Sequence, residues 1–295
     1  MRSSTTASKA LVASAYAAHM ARRAADFGVA IHGEVAVDMA RVKARKDAIS
    51  GKSRSGVESW VRRLSNCTVL EGHARFTGPR TVVVGGEILR AERIFINVGG
   101  RAAAPPIPGL DRTPYLTNSS MMDVDELPEH LVVIGGSYIG LEFAQMSRRF
   151  GSRVTVVEMA PRLIAREDED ISAAVAEILE KEGVALRLGA ECTRVSGHDG
   201  SITVKVDCTS GAPEIAASHL LVATGRRPNT DDLGLDAAGV EIDERGYITV
   251  DDQLRTNVEG IWALGDCNGR GAFTHTAYND FEIVAANLLD DDPRR

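Results

Sequence analysis

A short glycine-rich stretch near the middle of the chain has the residue types that bind phosphate groups. Gly135, Gly136, Ser137 and Gly140 lie in the order Gly-Gly-Ser-Tyr-Ile-Gly. Glycine lets the backbone turn sharply and approach a pyrophosphate, whose charge is met by free N–H groups and by the positive end of a helix. The usual spacing is G-x-G-x-x-G, so Ser137 takes the place of the middle glycine. Serine is small enough to permit the same close approach.

An acidic residue follows this stretch at the distance typical of nucleotide recognition. Glu158 lies 23 positions after Gly135, where a carboxylate accepts hydrogen bonds from an adenosine ribose. The same charge repels the additional phosphate of NADP, so the pattern favours NAD(H) over NADPH. A tight turn in an unrelated α/β protein would use the same glycines, and only the order of the surrounding elements decides between the two interpretations.

The elements that position these residues can be predicted from apolar periodicity. Residues 131–134 and 154–157 are short apolar runs typical of buried strands, and the segment between them has helical spacing. Strand, glycine turn, helix, strand and acid together predict a nucleotide-binding βαβ unit. A helix from residue 167 and strands at 184–188 and 219–225 extend it to an α/β fold with a doubly wound parallel sheet. On that next helix we expect four buried residues: Ile171, Val175, Ile178 and Leu179.

The segments on either side of this unit have a different apolar periodicity. Helices are predicted over residues 8–27 and 38–50, and a third helix carries Trp60. Between the last two, the Gly/Ser-rich segment 51–56 is interpreted as a surface linker, because it lacks the spacing and the preceding strand of a phosphate-binding loop. A final helix is predicted over 275–289. Short strands are predicted at 68–70, 74–76, 81–84, 87–89, 93–98, 246–250 and 260–266.

Composition excludes several classes of function. The 295 residues are 44% hydrophobic and 25% charged, with a net charge of −7 and no basic block, which argues against a nucleic-acid partner. No apolar run approaches the roughly 20 residues that cross a bilayer, so we expect no membrane partner and a cytoplasmic location. Neither structural disulfides nor a metal site are expected, because no two of the four cysteines form a close pair: Cys67, Cys192, Cys208 and Cys267.

Four motifs occur in a fixed order along the chain. They are Asn-Val-Gly-Gly at 97–100, the glycine stretch with Tyr-Ile-Gly-Leu-Glu at 138–142, Ala-Thr-Gly-Arg-Arg-Pro-Asn at 223–229, and Ile-Trp-Ala-Leu-Gly-Asp at 261–266. Together they resemble the flavin-dependent pyridine nucleotide–disulfide oxidoreductases, which include dihydrolipoamide dehydrogenase, glutathione reductase and mercuric reductase. The resemblance covers residues 8–290 and is greatest to the mercuric-reductase-like members.

The resemblance implies a domain organisation and an activity. An NAD-binding domain, residues 116–244, is inserted in an FAD-binding domain of the same type, residues 1–115 and 245–295. The family's enzymes pass hydride from NADH to FAD and on to an acceptor. The acceptor is a small molecule or a disulfide. This sequence does not distinguish among mercuric ion, a disulfide, a quinone and oxygen.

The resemblance also assigns roles near the reacting groups. Tyr138 matches the family's gating tyrosine, which lies over the flavin until nicotinamide displaces it. Glu142 matches a glutamate that pairs with a lysine near the flavin, and Lys9 resembles that lysine. Taken alone, Tyr138 is better explained as a packing residue of the helix, and the full set of motifs favours the gate.

Four further residues match cofactor-binding positions of the family. Asp266 matches the aspartate that binds the ribityl chain of the flavin, and Gly99 and Gly225 end strands that flank the cofactors. His275 stands at the start of a helix whose positive end would stabilise the anionic reduced flavin. The alternatives are a strand-end cap for Asp266 and a structural role for His275.

The sequence departs from the family in three places. The family's first glycine-rich unit, which holds the FAD adenosine, is not found before Ser8. The redox-active cysteine pair is not found before Lys9, and the C-terminal domain through which family members form homodimers is not found either. We therefore expect an incomplete form of the FAD-dependent oxidoreductase. A non-catalytic NAD(H)-binding module is the alternative, and a flavin-independent dehydrogenase is the least supported.

Overall fold

The computed structural model describes residues 4–198, 200–207, 211–290 and 294. The chain divides into two compact units. Unit 1 consists of Met1–Ser65 and Ala104–Gly225, and unit 2 of Asn66–Ala103 and Arg226–Arg295. The assignment of an NAD-binding and an FAD-binding domain to particular stretches stays a prediction.

A four-stranded parallel sheet forms the centre of unit 1. Its strands are β6 (His130–Ile134), β7 (Arg153–Glu158), β8 (Ala185–Leu188) and β12 (His219–Val222), in the order β12-β6-β7-β8. Every residue of β6 is buried, as expected of a central parallel strand whose two faces are both covered. The predicted α/β fold with a parallel sheet is confirmed.

Different layers cover the two faces of this sheet. On one face lie α3 (Tyr138–Phe150) and α4 (Glu169–Lys181), packed on alternate strand residues such as Leu131 and Val133. The other face is covered by an antiparallel sheet that joins β8 to β12 and packs on Val132 and Ile134. That sheet contains β9 (Glu191–His198), β10 (Ser201–Asp207) and β11 (Glu214–Ala217).

Two long helices at the start of the chain also belong to unit 1. They are α1 (Ser4–Arg22) and α2 (Met39–Arg62). The prediction of a linker at residues 51–56 is wrong, because α2 continues through this segment. Two glycines cost a helix only about 1 kcal/mol each, no proline interrupts it, and an ion pair between Arg54 and Glu58 spans one turn.

The burial predicted for α4 is correct only in part. Leu179 is buried and Val175 packs on the core, but Ile171 and Ile178 are 48% and 51% exposed. The apolar residues of α4 occupy a wider part of the helix surface than the sheet covers. Ser172 is buried together with Leu179 instead. Periodicity defines a face of a helix and leaves its exact rotation to the packing.

Unit 2 contains three small sheets. One is antiparallel and contains β1 (Ala74–Gly78), β2 (Thr81–Val84) and β3 (Glu87–Arg90). The others are strand pairs: β4 (Ile94–Ile96) with β14 (Ile261–Ala263), and β5 (Gly100–Ala102) with β13 (Arg226–Pro228). Helices α5 (Leu235–Ala238) and α6 (Thr274–Ala285) complete the unit, and a π-helical turn follows α6 at Ala286–Asp290.

Two predicted strands of unit 2 are not formed. Residues 68–70 have no regular structure, and residues 246–250 form only an isolated bridge between Ile248 and Ile242. Ile248 is nevertheless fully buried in the core of the unit, beside Ile96 and Ile261. The apolar pattern therefore indicated burial correctly, but the pairing of this segment with residues 241–243 is too short to form a ladder.

Candidate functional site

The glycine stretch forms the turn between β6 and α3, and each of its glycines is required by a close contact. Gly135 has φ +115°, and a Cβ atom there would lie 2.5 Å from the carbonyl oxygen of Ala223. A Cβ atom on Gly140 would lie 2.1 Å from the carbonyl oxygen of Gly135. A side chain at Gly135 would clash with the backbone after β12, and one at Gly140 would force the helix away from the turn.

Ser137 begins α3 with an extended backbone, and its side chain makes no capping hydrogen bond. The first N–H groups of a helix have no partner within the helix, so at α3 they are not taken up by this side chain. An anion placed against the turn would accept hydrogen bonds from them and meet the positive end of the helix dipole. The residues present therefore fit a nucleotide pyrophosphate.

The Glu158 carboxylate, at the end of β7, lies against the backbone of this turn. Its Oε2 accepts a hydrogen bond from the N–H group of Gly136 at 2.6 Å, and its Oε1 accepts one from Ala160 at 2.8 Å. A Cβ atom on Gly136 would lie 2.9 Å from the Cβ of Glu158. The predicted loop and the predicted acid are therefore brought together, with the carboxylate fixed beside the backbone.

Tyr138 occupies the first turn of α3 and is 45% exposed. Its hydroxyl donates a hydrogen bond to Glu167, a residue just before α4, and this bond raises the pKa of Tyr138. The ring is thus held at the surface and not packed in the core. Glu167 was not among the predicted site residues, since nothing in its acidic stretch distinguishes it from its neighbours.

Lys9 and Glu142 form an ion pair. The Lys9 Nζ lies 3.3 Å from both carboxylate oxygens of Glu142. The pair joins α1 to α3, and it is held there because Leu11 and Ala15 of α1 are buried in the same core as the sheet. The pair expected from the resemblance is therefore present, on a surface where 64% of the lysine side chain is exposed.

Asp266 in unit 2 follows β14 and pairs with Arg226. The Arg226 Nη2 lies 3.0 Å from Oδ2 of Asp266 and donates a second hydrogen bond to the carbonyl oxygen of Gly100. Within the described part of the chain, Oδ1 of Asp266 accepts no hydrogen bond. That oxygen can accept a hydroxyl, so the site fits the ribityl chain of a flavin. Arg226 was missed as a functional residue, although it lies within one of the motifs.

Gly99 lies next to this pair. Its φ of +69° is in the left-handed region that favours glycine. Its carbonyl oxygen accepts from the N–H group of Asn229 at 3.0 Å, and the Asn229 side chain donates to Val98. Two of the four motifs are thus joined by direct hydrogen bonds.

The structure supports the predicted roles of His275 and Gly225 less directly. His275 is exposed in the first turn of α6 and stacks on Phe273 with ring centroids 5.3 Å apart. Gly225 follows β12 in unit 1, and a Cβ atom there would meet nothing within 4 Å. The contacts within the chain therefore do not require glycine at 225, and the roles of both residues stay predictions.

The buried end of α6 contributes a residue that the sequence did not reveal. The Asp280 carboxylate accepts from the N–H group of Gly265 at 2.8 Å and from the Asn268 side chain at 2.9 Å. It is only 8% exposed. These bonds fix the Gly-Asp turn that presents Asp266, and no sequence motif signals a bond between residues 15 positions apart.

The cysteines of the described ranges are dispersed along the chain, and one of them, Cys267, directly follows Asp266. Three cysteines within the described ranges are free thiols, Cys67 exposed, Cys192 half-buried and Cys267 buried, and Cys208 lies outside those ranges. Burial raises the pKa of Cys192 to about 11 and also raises that of Cys267. The described residues contain no group of three His, Cys, Asp or Glu that could hold a metal ion.

Comparison with known proteins decides the family. Residues 5–280 match the family profile described as pyridine nucleotide-disulphide oxidoreductase. The chain belongs to this family. The resemblance that the four motifs indicated is therefore confirmed over nearly the whole sequence.

Several curated members of the family are similar in sequence. The probable pyridine nucleotide-disulfide oxidoreductase RclA of Escherichia coli (strain K12) is 37% identical over 262 residues, covering 87% of this chain and 58% of that protein. Mercuric reductase of Streptomyces lividans is 37% identical over 288 residues, covering 96% and 60%. Dihydrolipoyl dehydrogenase of Cupriavidus necator is 35% identical over 292 residues, covering 97% and 61%.

A solved structure of the family has the same fold. The HOCl-induced flavoprotein disulfide reductase RclA from Escherichia coli superposes with a TM-score of 0.87 at 34% identity, covering 98% of this chain and 62% of that one. The chain thus spans about three fifths of the length of these relatives. No helix within the described ranges is both long and apolar enough to span a membrane.

Proposed function

We propose that this chain binds NADH through unit 1 and FAD through unit 2, and that it serves hydride transfer from NADH to the flavin and on to an acceptor. The observation that carries the proposal is the glycine turn with Glu158 bonded to it. The three glycines, the uncapped start of α3 and the fixed carboxylate form one site for a dinucleotide, built from residues that are close in sequence and in space.

The residues of unit 1 would act by binding and orienting. The N–H groups at the start of α3 would hold the pyrophosphate, and Glu158 would accept the ribose hydroxyls, which favours NADH over NADPH. Tyr138, tethered to Glu167, would shield the site and move aside when the nicotinamide binds. Lys9, held by Glu142, would supply a positive charge that stabilises negative charge developing during hydride transfer.

The residues of unit 2 would hold the second cofactor. Asp266 would accept a ribityl hydroxyl through its open oxygen, with Arg226 fixing the carboxylate, and the chain at Gly99 would lie against the same group. His275 marks the start of α6, whose positive end favours an anion. Bound FAD would supply a two-electron acceptor that nicotinamide can reduce.

Reconstitution tests the flavin part of this proposal. The purified chain is incubated with excess FAD, freed of unbound flavin, and examined for visible flavin absorbance and for NADH oxidation with ferricyanide as acceptor. We expect bound flavin that Asp266→Ala removes, whereas Asp243→Ala, on a surface turn of the same unit, leaves it. Absence of bound flavin in the unaltered chain would reject FAD binding by this chain.

A second function is favoured by one observation. The hydrogen bonds of Glu158 to Gly136 and Ala160 lie within unit 1, so the proposed pyrophosphate and ribose contacts need no residue of unit 2. A non-catalytic NAD(H)-binding module would therefore bind NADH, remain colourless after treatment with FAD, and oxidise no NADH.

A further inference from the structure

Unit 1 has a cavity at the end of α3 that is remote from the glycine turn. It has a volume of about 690 Å³ and lies among the last turns of α1, α3 and α4 and the irregular segment that follows α1. Since α3 has 13 residues and rises about 1.5 Å per residue, roughly 20 Å of helix separates this cavity from the nucleotide site. Nothing in the proposed function uses it.

The cavity is lined by more positive than negative side chains. Its permanent cations are Arg22, Arg23, Arg148, Arg149 and Lys181, and its carboxylates are Glu34 and Glu182. The C-terminal ends of α1, α3 and α4 each add about half a negative charge, which explains why some cations lie there. The cations still exceed the carboxylates and the helix ends together, in a chain whose net charge is −7.

Two of these guanidinium groups have only neutral partners. Arg22 donates to the carbonyl oxygens of Val35, Arg149 and Phe150. Arg148 donates through Nε and Nη1 to carbonyl oxygens of Glu182 and Ser152. Within the described residues neither has a carboxylate within ion-pair distance, so both charges remain available to an anion.

The other three cations are paired with carboxylates, and a bound anion can share these cations or take the place of a carboxylate. Arg149 is held by Glu182 at 2.6 Å in a half-buried pair. Arg23 pairs with Asp26 at 2.9 Å, and Lys181 pairs with Glu177, both on the exposed surface. Surface pairs of this kind contribute little, and a multivalent anion in the cavity would attract both cations from them.

The electrostatic state of His19 supports a positive cavity. Burial lowers the pKa of His19, and the charges of Arg149, Arg23 and Arg22 lower it further against the opposing effect of Glu182. The cations therefore outweigh the carboxylate at the position of this ring, which lines the cavity.

One wall of the cavity is apolar. Val29 and Ile31 line it and are 56% and 49% exposed. Aliphatic side chains beside a group of arginines match a ligand that has both a flat apolar ring and a chain of negative charges. The volume lies within the range of roughly 300–1,000 Å³ that small-molecule sites occupy.

We propose that this cavity binds a nucleoside di- or triphosphate, with the phosphate chain on Arg22, Arg148 and the neighbouring cations and the base against Val29 and Ile31. Arginine suits this ligand because its planar fork donates two parallel hydrogen bonds to a phosphate group. The site is independent of the proposed NADH site, since it lies at the opposite end of α3.

Isothermal titration of the whole chain with ATP tests this proposal. The titration is done in saturating NADH, so that ATP is kept from the glycine turn, and it is repeated with inorganic tripolyphosphate and with adenosine. We expect one ATP per chain, competition by tripolyphosphate, no comparable binding of adenosine, and weaker binding at high salt because of screening. Loss of ATP binding in NADH would place ATP at the glycine turn and reject the cavity, as would absence of ATP binding.

Two double variants test whether ATP binds in the cavity. Arg23→Gln with Lys181→Gln removes two exposed cations of the cavity, and we expect ATP to bind about tenfold more weakly, the effect of two partly screened charges. Arg41→Gln with Lys52→Gln removes the same charge from the exposed side of α2 and is expected to change nothing. Equal affinity in the two double variants would overturn the proposal. A separate NADH titration shows whether the glycine turn is functional, whatever the result with ATP.

Discussion

Contacts within the folded chain restrict the single residues of the glycine turn tightly. The Cβ positions of Gly135, Gly136 and Gly140 all fall within 3.0 Å of other atoms of the chain. The glycine motif is thus explained by contacts of the folded chain before any ligand is considered. Ser137 is exposed and tightly limited by none of these contacts, which explains why the motif tolerates serine there.

Gly140→Ala tests this account of the turn. The new methyl group would lie 2.1 Å from the Gly135 carbonyl oxygen, so α3 must shift, and we expect a loss of about 1–3 kcal/mol in the free energy of unfolding together with weaker NADH binding. Gly56→Ala is the matched control, because a Cβ atom there meets nothing within 4 Å and α2 should gain about 0.5–1 kcal/mol. Denaturant unfolding of both variants makes the comparison, and equal stabilities would contradict it.

Glu158→Gln tests the role of the carboxylate. An amide has one acceptor oxygen, so the N–H groups of Gly136 and Ala160 can no longer both be satisfied, and the repulsion of a second phosphate disappears. We expect NADH to bind at least about tenfold more weakly and the preference for NADH over NADPH to fall. Titration with both nucleotides measures this, with Glu169→Gln as an exposed control. A wild-type chain that binds both equally would contradict the prediction.

Residue-level prediction from the sequence succeeded where the partners are local. Gly135 and Glu158 are close along the chain, so one strand-turn-helix-strand unit fixes their separation. Lys9 and Glu142 are 133 positions apart, and only the resemblance suggested their pairing. Asp280 and Glu167 were missed because their bonds depend on how α6 and α4 pack, which no local pattern records.

At the scale of elements, a half-buried network joins α3 to the end of α4, and Tyr16 and Arg22 attach α1 to the same end of α3. Arg149 donates two hydrogen bonds to Glu182 at 2.6 and 2.7 Å, and Gln145 donates a third. Tyr16 of α1 lies 5.9 Å from the Arg149 guanidinium, and Arg22 of α1 bonds to the last carbonyl oxygens of α3. The helix that carries Lys9 is thereby fixed at both ends.

Arg149→Gln tests this network. Burial alone would raise the pKa of Glu182, but the hydrogen bonds and charge of Arg149 outweigh it and lower the pKa. The pair therefore stabilises the fold above the ordinary glutamate pKa of about 4.3 and loses that effect as the pH falls below it. We expect a loss of about 2 kcal/mol at neutral pH and a smaller loss in acid. Arg54→Gln, in an exposed pair, should change stability by well under about 1 kcal/mol.

His130 joins β6 to the covering antiparallel sheet. Its Nδ1 lies 2.7 Å from the Ala216 carbonyl oxygen and its Nε2 lies 2.9 Å from the Thr155 hydroxyl. Burial lowers the pKa of His130; the bond to Ala216 opposes this shift, as does Glu129, whereas Arg153 adds to it. The neutral ring is therefore the form that the fold prefers.

Acid titration tests this state of His130. Because its pKa is lowered, its contribution is complete above about pH 6.5 and is lost as the pH falls below that value. We expect the free energy of unfolding to decrease from pH 7 to pH 5, and less steeply in His130→Gln. His19 and His219, whose pKa values burial also lowers, act in the same direction and remain in the variant. An unchanged slope would contradict the assignment.

The element predictions failed where tertiary packing decides. The order of strands and helices from 130 to 222 follows from period and glycine position, because β6, β7 and β12 are buried on both faces. The predicted linker at 51–56 is wrong because α2 tolerates two exposed glycines. The predicted strand at 246–250 is not formed because its antiparallel contact with residues 241–243 amounts to a single isolated bridge. In each case the residue pattern was compatible with more than one element.

At the scale of the whole molecule, two units each carry a site that fits a nucleotide cofactor. The family is established by the match over residues 5–280 and by a flavoprotein disulfide reductase of the same fold. The chain spans about three fifths of the length of its relatives, so an activity of the whole family enzyme remains a proposal for it. Four motifs of the sequence predicted the family, but none of them identifies the electron acceptor.

The most direct test is a calorimetric titration of the purified chain with NADH. The central claim is that the glycine turn and Glu158 form a complete nucleotide site within unit 1, so we predict one NADH per chain and markedly weaker binding of NADPH. Gly140→Ala and Glu158→Gln should each reduce NADH binding, and Gly56→Ala should preserve it. A folded chain that binds no NADH, or that binds it equally well without Glu158, would contradict the claim.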